Sequence, residues 1–470
     1  MTSVTPPNIL ILFTDDQRFD ALGALGNPAI HTPNMDRLAA RGTAFTYAHI
    51  MGGTSPAVCM PSRAMLHTGR QLFGLQGAGE GIPADHVLLG EHLQAHGYRT
   101  WGTGKWHNGP AAYARSFSDG AEIFFGGMDD HWNVPACAFD PTGRYDVRQP
   151  LVKDAWSSNE VTYRLCDHIT PGKHSSELFA EAAAEWLHAN ADEQPFFMYV
   201  SFMAPHDPRT MPQEFLEMYD PEEVVLPPNF TGGHPFDNGD LKVRDELLEE
   251  FPRTAPAIRR HLAEYYAMIS HLDAQIGRIL DALEATGRGE NTIIVFAGDN
   301  GLALGQHGLM GKQNLYDHSV RVPLIMAGPG VPAGRRSDAL CYLYDIMPTL
   351  CDLVGVPIPD SVQGHSLVGA LQGADPVRET MYLAYKEYQR AVRDRRYKLI
   401  EYVVDGRRTT QLYDIEHDPW EMRNLADEPA LGPTPLAEHL RRLRRELVRH
   451  RDITGDHKTP WGAAFWADYE

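Results

Sequence analysis

The chain has 470 residues and a formal net charge of −20, long enough for a large core and a smaller appended unit. That charge excludes a general nucleic-acid binder, since no basic surplus exists to neutralise phosphates, and leaves only a local basic pocket for an anionic substrate. Five cysteines, at 59, 137, 166, 341 and 351, form no CxxC pair; a reducing compartment and a cytoplasmic location are expected.

The N-terminal stretch "MTSVTPPNILILFTDD" has no basic n-region, and no apolar run in the chain reaches the length of a membrane span. Its core, "NILILF" at 8–13, reads as a strand that runs into Asp15-Asp16. A helix is predicted over "CMPSRAMLHTGR" (59–70), with Pro61 in its first turn and Gly69 as its stop. Cys59 is expected there as an exposed residue at the positive end of the helix, beside Arg63, where a thiolate would be activated. A short strand at Arg99–Gly102 precedes "GTGKWHNG", which aims Lys105 and His107 to one side of an extended segment.

The stretch "SSELFAEAAAEWLHA" (175–189) reads as a helix with a serine cap. Strand "PFFMYVSF" (195–202) then runs into His206-Asp207. Residues 220–258, rich in Pro, Asp and Glu, read as a surface excursion, and 261–287 as a long helix stopped by Gly287. Two further strands follow, "NTIIVFA" (291–297) before Asp299-Asn300-Gly301 and "VPLIMA" (322–327) before Gly328. Strands apolar on both faces and alternating with helices imply a mostly parallel sheet flanked by helices, with functional groups at the carboxyl ends.

From residue 378 the texture changes to apolar–polar alternation with an Asp-Gly turn at 405–406, an Arg-rich helix at 435–450 and an aromatic tail. The predicted organisation is an α/β catalytic domain, 1–377, and an α+β C-terminal subdomain, 378–470, built on an antiparallel meander.

The chemistry lies at the strand ends. Asp15-Asp16 would serve as a helix cap and "GDNG" (298–301) as a hairpin turn, yet no alternating partner strand follows the latter. Three carboxylates and an amide oxygen, Asp15, Asp16, Asp299 and Asn300, suit Ca²⁺ or Mg²⁺. A soft thiolate at Cys59 is mismatched to such a site; an oxygen nucleophile fits it.

The segment "CMPSRAMLHTGR" resembles the type I sulfatase signature, in which a C-x-P-S-R cysteine becomes formylglycine. "NILILFTDDQR", "GKWHNG", "APHDPR", "FAGDNG", "GKQNLYDHSVRVPLI" and "LYDIEHDPWEMRNLA" resemble further sulfatase blocks in sulfatase order. The resemblance implies the alkaline-phosphatase-like fold and one divalent cation, usually calcium, held by Asp15, Asp16, Asp299, Asn300 and the matured Cys59. It implies Arg63 holding the nucleophile, Lys105 and Lys312 gripping sulfate oxygens, His206 serving the leaving alcohol and His107 acting as base. The implied activity is sulfate-ester hydrolysis, here of a small sulfated carbohydrate cleaved exolytically, with a formylglycine-generating enzyme as maturation partner. A phosphonate monoester or phosphodiester hydrolase is the neighbouring alternative; against it, "GDNG" keeps Asn where that group's motif resembles Asp-His. A binding protein with an unmodified thiol is the alternative of another class. His131, Asp207 and Arg209 are candidates for binding substrate hydroxyls, unless Asp207 and Arg209 simply pair to shape their loop. No membrane partner is expected, and a homo-oligomer is left open.

Overall fold

The computed structural model describes residues 6–152, 154, 156–190, 193–374, 376–427 and 435–469. At its centre is an eight-stranded sheet in the order Arg335–Tyr342, Gly42–His49, Leu324–Ala327, Thr292–Gly298, Asn8–Thr14, Phe196–Ser201, Arg99–Lys105, Asp119–Phe124. Asn8–Thr14 pairs in parallel with both Phe196–Ser201 and Thr292–Gly298, so their carboxyl ends stand side by side. The strand within 322–327 departs from the rest. Leu324–Ala327 runs antiparallel to both of its neighbours, so Gly328 falls at the edge opposite the site. Burial on both faces, not direction, makes its sequence uniformly apolar.

Strand alternation splits the core in two. Ile9, Ile11 and Phe13 pack on one face with Met65, Leu66 and Met347; Leu10 and Leu12 pack on the other with Phe179, Leu272 and Ile276. The first face is covered by helices Cys59–Thr68 and Ile346–Val354, the second by Ser175–Ala189 and Ala255–Ala285. Ser175–Ala189 is capped by His174, whose Nδ1 accepts from the Ser176 N–H, and not by a serine. The long helix starts six residues earlier than its apolar pattern suggests. The Thr254 hydroxyl caps it, and Pro256 suits its first turn, where a missing N–H costs nothing.

The C-terminal meander is present, with Tyr397–Val404 and Arg407–Asp414 joined through Asp405 and Gly406, both at positive φ. Helix Pro435–Thr454 packs on it through Leu440, Leu443 and Leu447, and the aromatic tail forms helix Pro460–Tyr469. This sheet has a fifth strand from the other end of the chain, Gly52–Gly53, paired in parallel with Met381–Tyr385. Gly52 is at φ +111°, and a Cβ there would lie 1.9 Å from the Ala384 carbonyl oxygen. Only glycine permits that approach. The strand leads into the Cys59 helix, so the C-terminal sheet braces the loop before Cys59.

Candidate active site

Asp15-Asp16, Asp299-Asn300 and His206 each follow the carboxyl end of a central strand, and Lys105 ends one, with His107 two residues beyond. The fold therefore gathers them over the middle of the sheet. Cys59 opens its helix, and Gly69 ends it at φ +62°. Cys59 Sγ lies 3.4 Å from His107 Nδ1 and 3.7 Å from Lys105 Nζ. The sequence expectation of an exposed, activated thiolate is corrected: Cys59 is 3% exposed. Burial pushes its thiol up despite Lys105 and Lys312, because desolvation disfavours the charged form.

Around it the charges interlock. Arg63 Nε and Nη2 hold Asp299 Oδ2 at 3.0 and 2.9 Å, while Nη1 donates to the Lys105 carbonyl at 2.9 Å and the Ser201 hydroxyl at 2.5 Å. Lys105 Nζ pairs with Asp15, and Lys312 Nζ lies 2.6 Å from Asp16 Oδ1. Asn300 Nδ2 donates to Asp16 Oδ1 at 2.6 Å. Burial alone would raise Asp15, yet Lys105, His206 and Arg63 outweigh it and hold that carboxyl far below its usual range. Burial, and then Asp15, push Asp299 up to about 7. Two carboxylates this close and this dry resist joint ionisation without additional positive charge.

Two oxygens are left over. Asp15 Oδ1 and Asn300 Oδ1 are buried with no hydrogen-bond partner among the described residues. Ligand atoms of Asp15, Asp16 and His206, and of Asp15, Cys59 and Asp299, lie within 4.8 Å of one another. Hard, partly anionic and under-bonded, the set fits a Ca²⁺ or Mg²⁺ ion. His206 donates Nδ1–H to the Asp207 carbonyl at 2.8 Å, leaving Nε2 facing Asp16 Oδ2 at 3.6 Å. His107 is held well below its ordinary value by burial, Lys105 and Arg63, and is therefore a neutral acceptor. Gly127 abuts its ring: a Cβ there would come within 2.8 Å of Nε2.

The three candidates for binding substrate hydroxyls are placed differently. His131 is fully buried, with Nδ1 on the Ser175 hydroxyl at 2.7 Å and Nε2 on the His206 carbonyl at 3.1 Å. Both nitrogens are spent, so it supports the His206 loop from beneath. Asp207 and Arg209 do not pair. Asp207 takes a bidentate contact from Arg244, and Arg209 Nη2 lies 2.6 Å from His261 Nδ1. The 220–258 segment is thus more than a surface excursion. Its Arg244, Asp245 and Glu246 reach the site, and no local motif marks them. Beside His107 opens a cavity of 360 Å³ whose walls include Phe125, Met128, Glu80, Asp129 and Arg164. Arg164 Nη1 holds Asp129 Oδ1 at 2.7 Å.

The sulfatase family model matches residues 7–356. The chain belongs to the sulfatase family. A second model, for the C-terminal region of N-sulphoglucosamine sulphohydrolase, matches residues 305–450. This sulfatase is 30% identical to an ulvan-active sulfatase of Formosa agariphila over 90% of its own length and 78% of that protein. It is also 30% identical to a choline-sulfatase of Rhizobium meliloti, over 96% and 86%. A protein solved in complex with its substrate D-glucosamine-2-N,6-O-disulfate superposes with a TM-score of 0.72 at 24% identity, covering 97% of this chain and 99% of that one. The sulfatase is a sulfuric ester hydrolase with the mixed α/β fold of its family. No helix among the described residues is long and apolar enough to cross a membrane.

Proposed function

We propose that this sulfatase removes sulfate exolytically from a small sulfated carbohydrate, using position 59 as nucleophile after its conversion to formylglycine by a formylglycine-generating enzyme. The observation that carries the reading is the under-bonded oxygen set of Asp15 and Asn300 beside Cys59. Asp15, Asp16, Asp299 and Asn300 would hold the cation, with calcium the choice that suits four oxygen donors of mixed charge. When bound, the cation supplies Lewis-acid stabilisation of charge on the sulfate oxygens, and formylglycine supplies an oxygen nucleophile in place of the thiol.

The chain's own residues do the rest. Arg63 is locked on Asp299 and Ser201, so its guanidinium is a fixed positive wall beneath the reacting group. Lys105 and Lys312, each anchored on an aspartate, present charge where sulfate oxygens would sit. His107, neutral and 3.4 Å from position 59 through Nδ1, takes a proton there. His206 keeps Nδ1–H on a carbonyl, so the doubly protonated ring would hand its Nε2 proton to the leaving oxygen and remain as the neutral Nδ1–H form.

The 360 Å³ cavity beside His107 supports a sugar-sized leaving group, with Phe125 and Met128 for a ring face and Glu80, Asp129 and Arg164 for hydroxyls. Cys59 and Lys312 are each 3% exposed, and such a narrow reach suits a terminal sulfate rather than one within a long chain. The ulvan-active relative supports a sulfated carbohydrate as the substrate class; the choline-sulfatase relative is the competitor. The test is kcat/KM across regiospecific sulfated mono- and disaccharides, choline sulfate and a phosphodiester. The reading predicts one saccharide terminal sulfate at the top. A choline sulfate or phosphodiester maximum would overturn it.

A further inference from the structure

Asp207 and Lys312 lie far apart in sequence and flank the reaction centre from two loops. One tripeptide reaches both loops, at Asp207 and at the neighbours of Lys312. Arg244 grips Asp207 with both terminal nitrogens, Nη1 at 2.9 Å from Oδ1, and its Nη1 also meets Asp245 at 3.1 Å. Asp207 Oδ1 in turn lies 3.4 Å from His206 Nδ1, the nitrogen whose proton sits on the Asp207 carbonyl. Asp245 Oδ2 accepts from Gln313 Nε2 at 2.7 Å. Glu246, 3% exposed, accepts from the main-chain N–H groups of Met310 at 3.0 Å and Gly311 at 2.9 Å. Arg253 holds it in place at 2.8 Å. Of three consecutive side chains, Arg244 thus anchors on the His206 loop, while Asp245, through Gln313, and Glu246, through Met310 and Gly311, anchor on the Lys312 loop. Gln313 also donates to the Pro56 carbonyl at 2.9 Å, three residues before the nucleophile.

We infer that Arg244, Asp245 and Glu246 form one strap that fixes the leaving-group side of the active site: Arg244 positions His206 through Asp207, and Asp245 with Glu246 position Lys312. These are positioning residues. Arg244 is already spent on two carboxylates, so its charge is turned inward and not offered to substrate. Asp207 carries no proton and touches no reacting atom; it keeps the His206 ring from turning away from the leaving oxygen. Glu246 works on the opposite end, where two N–H groups without it would be left unpaired and the Gly311–Lys312 backbone would relax. The inference rests on the proposed role of His206 as proton donor to the leaving group.

The two ends of the strap make different predictions. In the matured enzyme, Arg244→Ala should lower kcat about tenfold on a sugar sulfate, whose alcohol leaves poorly, and less than about twofold on 4-nitrophenyl sulfate, with KM changed little on either. Arg244→Lys should recover most of the loss by restoring one contact to Asp207. Glu246→Gln should lower kcat about tenfold on both substrates alike, because Lys312 serves the sulfate whatever the leaving group. Arg244→Ala leaves the buried Asp207 carboxylate without its partner and should lower the melting temperature, so kcat is read per folded molecule and Arg244→Lys, which keeps the charge, is the variant expected to hold the wild-type value. Equal losses on both substrates for Arg244→Ala, or a change confined to KM, would overturn the strap. His206→Ala is the control that separates two failures. If it shows no leaving-group dependence, the role of His206 falls and the strap with it. If it shows that dependence and Arg244→Ala does not, the strap alone is wrong.

Discussion

Two buried charge clusters in this molecule are built to opposite rules. At the smaller, C-terminal sheet Arg390 and Asp456 are fully buried, and Nε and Nη2 of the arginine meet the two carboxylate oxygens at 2.6 and 2.9 Å. Nη1 donates to the carbonyls of Lys386 and Gln389, Tyr382 and Trp466 donate to the aspartate, and the rings of Trp461 and Phe465 lie against the guanidinium. The reaction centre is equally dry but left short, with Asp15 Oδ1 and Asn300 Oδ1 unpartnered and Asp299 pushed up by its burial and by Asp15. Saturation marks a buried ion pair that serves the fold. Under-saturation marks one kept for a ligand.

The comparison breaks most visibly by mutation. Asp299→Asn should cost activity on the order of a thousandfold or more, yet leave the urea midpoint of the metal-free protein unchanged or higher, since it relieves carboxylate repulsion. Asp456→Ala should do the reverse: it strands Arg390 and costs about 3–5 kcal/mol, while kcat per folded molecule is retained. Added calcium should stabilise the wild type by about 2.7 kcal/mol at a hundredfold excess over Kd, read as a higher urea midpoint, and should not do so for Asp299→Asn. Equal stability losses in the two variants would erase the distinction.

A second effect comes from neutral buried histidines. Burial brings His49 and His131 down to about 4, and His174 and His307 down to about 3. In the unfolded chain these rings titrate near 6.5. Below that pH the unfolded state takes up protons that the folded state refuses, so their stabilisation is complete above 6.5 and is lost progressively as pH falls toward 4. Urea midpoints measured from pH 8 to pH 4.5 should fall chiefly below 6.5. A flat profile would mean that these rings carry charge in the folded protein.

Asp15, His206 and Asp299 were legible as candidates because each follows a buried strand, and a parallel sheet delivers such positions to one edge whatever their separation; the roles given to Cys59, Arg63 and Lys312, which follow no strand, came from the resemblance to the sulfatase signature. Gly69 and the Asp405-Gly406 turn were legible because local backbone geometry demands them. What escaped is what depends on tertiary contact. Arg244 and Glu246 sit in a Pro- and Asp-rich stretch with no periodicity, and only the folded chain shows where their side chains reach. Gly52–Gly53 is too short to read as a strand. Its role comes from the Met381–Tyr385 strand beside it, more than three hundred residues later. Cys59 was misread as exposed because a helix start says nothing about what packs over it.

The smallest effect expected is at the cavity wall. Arg164→Ala should raise KM for the preferred saccharide about tenfold, the cost of one charge-assisted hydrogen bond, and leave 4-nitrophenyl sulfate nearly unchanged. Equal KM changes on both substrates would place the sugar elsewhere.

Position 59 decides the mechanism: the chain encodes there a buried thiol, pushed up by its burial, among hard oxygen donors. Peptide mass spectrometry of the segment ending at Arg63, on preparations that differ in maturation, tests it most directly when paired with sulfatase activity on the same samples. A formylglycine nucleophile requires that kcat rise in proportion to the fraction of position 59 converted from thiol to aldehyde, and that Cys59→Ala fold but not turn over. Full activity in protein whose Cys59 is entirely an unmodified thiol would contradict it.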